Sequence, residues 1–92
     1  ELNPKDDNAA LNLGRLLLNL QDYDNSIAAL DRAIAINPKR AWSYAMRADN
    51  YRHKKDYDRA IADYTKAVEI DPNYSQAYKF RAEARAAKGR DA

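Results

Sequence analysis

Asp22-Tyr23-Asp24-Asn25-Ser26-Ile27-Ala28 returns as Asp56-Tyr57-Asp58-Arg59-Ala60-Ile61-Ala62, thirty-four residues later. The same interval separates Pro4, Pro38 and Pro72, the only prolines in the chain. Around them Leu2-Asn3-Pro4-Lys5 matches Ile36-Asn37-Pro38-Lys39, with Ile70-Asp71-Pro72-Asn73 as a looser third copy, and Ala33 matches Ala67. A fixed period of this length signals stacked supersecondary units, each unable to bury its apolar face without a neighbour.

Inside each unit the periodicity is helical. Tyr44, Arg47, Ala48 and Tyr51 recur at helical spacing, and after the polar break Lys54-Lys55-Asp56 so do Ala60, Ile61, Tyr64, Ala67 and Val68. Asp58 suits an incoming helix N-terminus. Each proline disfavours helix at the residue before it, so the second helix of a unit stops near Asn37 or Asp71. The pattern predicts an all-α chain of five helices, approximately 7–20, 24–36, 41–54, 58–70 and 75–88.

Composition fits one small domain with a single core. The chain has 92 residues, 46% hydrophobic and 33% charged, and at that size a separate catalytic lobe would have little core of its own. A net charge of +2 arises from interspersed signs, with five basic and six acidic residues in 1–46 against eleven and eight in 47–92. The longest basic run is Lys54-Lys55 beside His53, too short for a nucleic-acid-binding patch, and no aromatics interleave with it. No stretch approaches the ~18 apolar residues that span a bilayer, so neither a nucleic acid nor a membrane is an expected partner. Cysteine is absent, which excludes disulfides and thiolate metal sites. The chain opens at Glu1 rather than Met, as expected of an excised or processed fragment.

The spacing of large, small and aromatic residues resembles that of tetratricopeptide repeats: a large residue, Leu-Gly and an aromatic on the first helix, then Ala, an aromatic, Ala and Pro on the second. Here those slots hold Ala10, Leu13-Gly14, Leu17, Ser26, Leu30, Ala33 and Pro38, then Tyr44, Arg47-Ala48, Tyr51, Ala60, Tyr64, Ala67 and Pro72. The resemblance implies a right-handed solenoid of antiparallel helix hairpins over 1–92. Residues 1–6 are then the tail of a preceding repeat, 7–40 repeat 1, 41–74 repeat 2, and 75–92 the first helix of repeat 3 or a capping helix. In that last helix Tyr78 and Arg81-Ala82 fill the slots, and Arg85 replaces the aromatic. Ala48, Ala60, Ala67 and Ala82 are expected at helix contacts, because axes approach to about 8–10 Å only over small side chains.

Catalysis needs convergent groups, and the sequence offers none. Gly14 and Gly89 are isolated rather than part of a phosphate-cradling loop, and His53 is the only histidine. No enzyme activity, cofactor or metal is expected. His53 could pair with Asp49 one turn earlier, Asp63 with Lys66, and Glu83 with Arg85 or Lys88. Such local pairs contribute only about 0.2–0.5 kcal/mol each.

A stripe of first-helix residues is more informative. Trp42, Met46, Asp49 and His53 share a helix face away from Tyr44, Ala48 and Tyr51. The equivalents are Asn8, Asn12, Arg15 and Asn19 with Leu11 beside them, and Gln76, Phe80, Glu83 and Ala87 with Lys79 beside them. The resemblance implies that these merge into a concave groove holding an extended or helical peptide of a protein partner. Trp42 and Phe80 are either anchors for that peptide or packing residues between first helices. Some members of the family grip a C-terminal carboxylate with Lys and Asn on first helices. The matching slots hold Leu11, Arg15, Met46, Gln76 and Phe80, of which only Arg15 offers charge, so chaperone-tail recognition is not expected. The competing reading is a structural segment of a longer solenoid, or a self-associating unit, since two and a half repeats fall below the usual three.

Overall fold

The computed structural model describes residues 6–91. It contains five helices in order: α1 (Asp7–Asn19), α2 (Tyr23–Ile36), α3 (Ala41–His53), α4 (Tyr57–Ile70) and α5 (Ser75–Asp91). The all-α architecture and all five expected helices are present, with ends shifted by one to three residues. Apart from Asp6, the expected repeat tail lies outside the described residues. Consecutive helices pack on one another, and α1 also meets α3, in a slab of 46 × 28 × 16 Å.

The turns repeat as faithfully as the sequence. α1 and α3 end with Gln21 (φ 62°) and Lys55 (φ 66°) in the left-handed region. The N–H of the next residue then reaches back five positions, Asp22 to Leu17 and Asp56 to Tyr51, both at 2.8 Å. This is the bond that closes a helix end over a left-handed residue, normally a glycine; here side-chain-bearing residues adopt it at a modest steric cost. At Pro38 and Pro72 the Asx side chain before the proline accepts an N–H, Lys39 to Asn37 at 3.2 Å and Asn73 to Asp71 at 3.1 Å. Helix α4 begins one residue earlier than expected. Asp56 caps it by accepting the Arg59 N–H, while Asp58 sits in the first turn, where a negative charge is favourable.

Small residues set the interhelical distances. Ala48, Ala60 and Ala67 are completely buried in a core with Tyr44, Tyr64, Val68, Ala77 and Ala84. A second cluster joins Ala10, Leu11, Leu30, Ala33 and Met46 across α1, α2 and α3. Gly14 lies so close to Leu30 that a Cβ would stand 2.7 Å from its Cγ. The Ser26 hydroxyl donates to the Gly14 carbonyl at 2.6 Å, and Asn50 Nδ2 donates to Ser26 at 2.9 Å, tying α1, α2 and α3 together inside the core.

Ala82 departs from expectation, because it is exposed. Helix α5 buries Ala77 and Ala84 instead, and turns the partly buried Phe80 toward Tyr64. These positions correspond to Ser43, Asn50 and Met46, the face by which α3 packs on α2. Ala82 corresponds to Ala48, whose face in α3 is covered by α4. Leu13 is likewise 42% exposed, although it fills a packing slot.

Ala67 provides a check on the register. Ala67→Leu forces extra volume into a position without free space and should destabilise by about 1–3 kcal/mol. A thermal melt unchanged from the parent chain would show that the α3–α4 contact is not limited by this residue.

Candidate functional site

The thirty-four-residue offset aligns the candidate residues into slots along the first helices. Asn8, Trp42 and Gln76 share one, Asn12, Met46 and Phe80 the next, then Arg15, Asp49 and Glu83. Asn19 and His53 follow, and Leu11 matches Lys79. Nine of these side chains reach solvent: Asn8, Asn12, Arg15, Asn19, Trp42, His53, Gln76, Lys79 and Glu83 are exposed. Trp42 stands out as a large apolar residue with 38% of its surface accessible.

Leu11 and Met46 do not belong to an accessible surface. They are 1% and 4% exposed and close the cluster where α3 meets α1 and α2. Apolar side chains at these two positions gain more by filling that junction than by facing water.

Asp49 and Phe80 are half-buried and enter a network that sequence reasoning did not identify. The Tyr64 hydroxyl donates to Asp49, and Arg52 Nε donates to the Tyr64 oxygen at 3.1 Å. The Arg52 guanidinium lies 4.5 Å from the Phe80 ring centroid, and Phe80 stacks on Tyr64 with centroids 6.4 Å apart. Phe80 thus packs between α4 and Arg52, the structural alternative for this residue. Burial raises the Tyr64 hydroxyl above its ordinary range, reinforced by the hydrogen bond and charge of Asp49. Burial also raises Tyr74, with Asp49 and Asp71 adding to it. The only sequence signal for the network was Asp49 and Arg52 three apart on a helix; their convergence on Tyr64 depends on tertiary packing.

The charged pairs also differ from the local ones expected. His53 stacks on Tyr23, with centroids 5.4 Å apart and planes within 5°, rather than pairing with Asp49. Asp63 pairs with Arg47 through two bonds of 2.8 and 2.9 Å, and Arg47 also reaches Asp31 at 2.8 Å. The Asp63 hydrogen bond is the largest cause of the upward shift of Arg47. Lys88 pairs with Asp58 and Lys54 with Asp24. For His53, Asp63 and Lys88 a partner on another helix replaces the expected neighbour on the same helix.

The clefts are open and shallow. One of about 390 Å³ is lined by Arg52, Tyr57, Glu83, Ala86, Ala87 and Arg90. Two others repeat along the hairpins, one beside Leu13, Leu17 and Ala28 and one beside Arg47, Tyr51 and Ala62. Among the described residues no group of three His, Asp or Glu side chains is placed to hold a metal ion, and no helix is long and apolar enough to cross a membrane.

A family model described as tetratricopeptide repeat matches residues 6–73. Among solved structures, the crystal structure of MamA protein is similar over 96% of this chain and 48% of its own, with 31% identity and a TM-score of 0.91. This chain therefore spans about half the length of that protein. The TPR2B domain of yeast Sti1, in a complex described as containing pHsp70, is 32% identical over 88% of this chain and 65% of its own, at a TM-score of 0.86. The second TPR of Spaghetti (RPAP3), bound to the HSP90 peptide SRMEEVD, is 28% identical over 91% of this chain and 78% of its own, at 0.88. A comparison with curated proteins finds no match.

The raised hydroxyls of Tyr64 and Tyr74 predict an alkaline weakness. Below the ordinary tyrosine value of 10.0 both residues are protonated in folded and unfolded chains, and their contribution is complete. Above it the unfolded chain ionises first, so stability falls as pH rises. Urea midpoints measured between about pH 8 and about pH 11 should decline, and Tyr64→Phe should remove part of that decline. An unchanged slope in the variant would place the Tyr64 hydroxyl in contact with water.

Proposed function

The chain belongs to the tetratricopeptide repeat family, and from that premise we propose that its first-helix face binds an extended or helical segment of a partner protein. Membership makes the chain a protein-interaction module in broad class. The finer reading rests above all on Trp42, a large aromatic more than one-third exposed in the central repeat, with the amides Asn8 and Gln76 in the corresponding slots on either side.

An indole in that position supplies apolar contact at small entropic cost, and the flanking amides can both donate to and accept from a peptide backbone. Asn12, Asn19 and His53 extend the polar surface, and Arg15, Lys79 and Glu83 add charges of both signs. Such a mixture suits a segment with polar backbone groups and one apolar anchor. By their descriptions, one similar structure contains an HSP90 peptide and another is a complex with pHsp70. Here, the buried Leu11 and Met46 occupy slots where a carboxylate grip would need donors, so a free C-terminus is not the feature we propose to be recognised.

The second reading, a self-associating unit or a segment of a longer solenoid, draws on Leu16 of α1 and Leu20 just past its end, which are 54% and 66% exposed. Sedimentation over a concentration series separates the two. A monomer throughout supports peptide binding, whereas association abolished by Leu16→Glu supports the second.

A phage-displayed peptide library panned on the chain, followed by titration of the enriched peptide, tests the groove directly. Trp42→Ala should weaken that peptide by roughly 2 kcal/mol or more if the indole is an anchor, and the melting temperature should change little. Tyr51→Ala, which removes a half-buried ring packed on the core, should lower the melting temperature much further. Failure of any peptide to enrich, or unchanged affinity in Trp42→Ala, would remove the groove reading.

A further inference from the structure

His53 and Ala87 occupy the same slot of the repeat, thirty-four residues apart. The His53 ring covers Tyr23, with centroids 5.4 Å apart and planes within 5°. One period later the tyrosine is Tyr57 and the slot holds only a methyl group. Tyr57 and Ala87 line the open cleft of about 390 Å³ between α3, α4 and α5. A ring that the first repeat receives from within the chain is absent from the second, and a cleft takes its place. Nothing that follows α5 is needed to account for this. One period earlier α3 is followed by α4, and the group over Tyr23 is still His53 of α3 itself.

The charged groups of the cleft are Arg52, Glu83 and Arg90. Glu83 is the counterpart of Asp49 one period on. How such a set holds a hydroxyl is visible on the other side of Arg52. There the Tyr64 hydroxyl donates to Asp49 and accepts from Arg52 Nε at 3.1 Å, so a carboxylate and a guanidinium share one phenol. A guanidinium has further N–H donors beyond that bond, and Glu83 is exposed.

Building on the reading that the first-helix face binds a partner segment, we propose that this cleft is the subsite for a tyrosine side chain of that segment. The ring takes the place over Ala87 that His53 fills in the preceding repeat, and its hydroxyl donates to Glu83 and accepts from Arg52. Contact between aromatic rings adds to the burial of apolar surface. The volume lies at the lower end of the roughly 300–1,000 Å³ usual for ligand sites, which suits one side chain and not a second helix.

Charge selects among possible occupants. A carboxylate would meet Glu83, and an ammonium group would meet Arg52 and Arg90, so either pays a like-charge penalty. Phenylalanine would desolvate the acid and the guanidinium without bonding to them. A phenol hydroxyl both donates and accepts, and it satisfies both signs at once.

The peptide library panned on the chain supplies the probe. Enriched sequences should share a tyrosine, and one such peptide is titrated by calorimetry beside forms with phenylalanine or alanine in its place. Phenylalanine should lower affinity about fivefold, the net contribution of one hydrogen bond, and alanine about tenfold or more. Glu83→Leu in the chain should weaken the tyrosine peptide about fivefold and leave the phenylalanine peptide within about twofold, a coupling that a merely structural role for Glu83 would not produce. Ala87→His sets a ring over Tyr57 as His53 lies over Tyr23, and should weaken both peptides about tenfold without lowering the melting temperature. Enriched peptides with histidine or no common aromatic residue, equal affinities for the tyrosine and phenylalanine forms, or binding insensitive to Ala87→His would each overturn the subsite. Those outcomes leave the groove itself standing, since it is judged by Trp42→Ala. Failure of any peptide to enrich would remove both.

Discussion

Everything in this fold depends on how closely two helices of a hairpin can approach. At Gly14 the Leu30 side chain occupies the space where a Cβ would stand, and at Ala48, Ala60 and Ala67 the methyl groups have no exposed surface. That proximity brings the Gly14 carbonyl within reach of Ser26, and Ser26 within reach of Asn50. A buried polar chain of this kind is favourable only when its geometry is held, because each unpaired buried group costs about 1–3 kcal/mol. The small residues therefore do more than permit contact; they place a hydrogen-bond relay that fixes the register between repeats.

Charges reinforce the same register from outside the core. The Asp24–Lys54 pair becomes Asp58–Lys88 after one period, and Asp31–Arg47 becomes Thr65–Arg81. Exposed pairs such as the first two contribute little individually, about 0–1 kcal/mol. Arg47 with Asp63 is different, since the carboxylate side chain is only 10% exposed. The value of that pair lies mainly in excluding arrangements that would leave Asp63 buried without a cation. Repetition thus extends to electrostatics: helices stack in the one register that satisfies both the small-residue contacts and the buried acid.

The sequence carried the fold because its period is written in residues with backbone consequences. Pro38 and Pro72 mark helix ends, and Asp22-Tyr23-Asp24 with Asp56-Tyr57-Asp58 mark the hairpins. The left-handed turns were less legible, since Gln21 and Lys55 occupy positions where glycine would have announced them. The candidate site was read only in outline. Helical spacing identified which residues share a face, but Trp42 and Met46 lie on that face with opposite burial. A single helix cannot reveal this difference, because it depends on how α1 and α2 crowd α3 around Met46. The Asp49–Tyr64–Arg52–Phe80 network was hidden for the same reason: its members come from three helices and meet only after stacking.

These constraints also explain where sequence freedom remains for recognition. A packing slot must satisfy neighbours on several helices, so Leu30, Ala60 and Ala67 are restricted by volume. The slot of Asn8, Trp42 and Gln76 faces no such demand, and its three occupants differ in size, polarity and aromatic character. Variation there changes what the surface can hold while the hairpins remain intact.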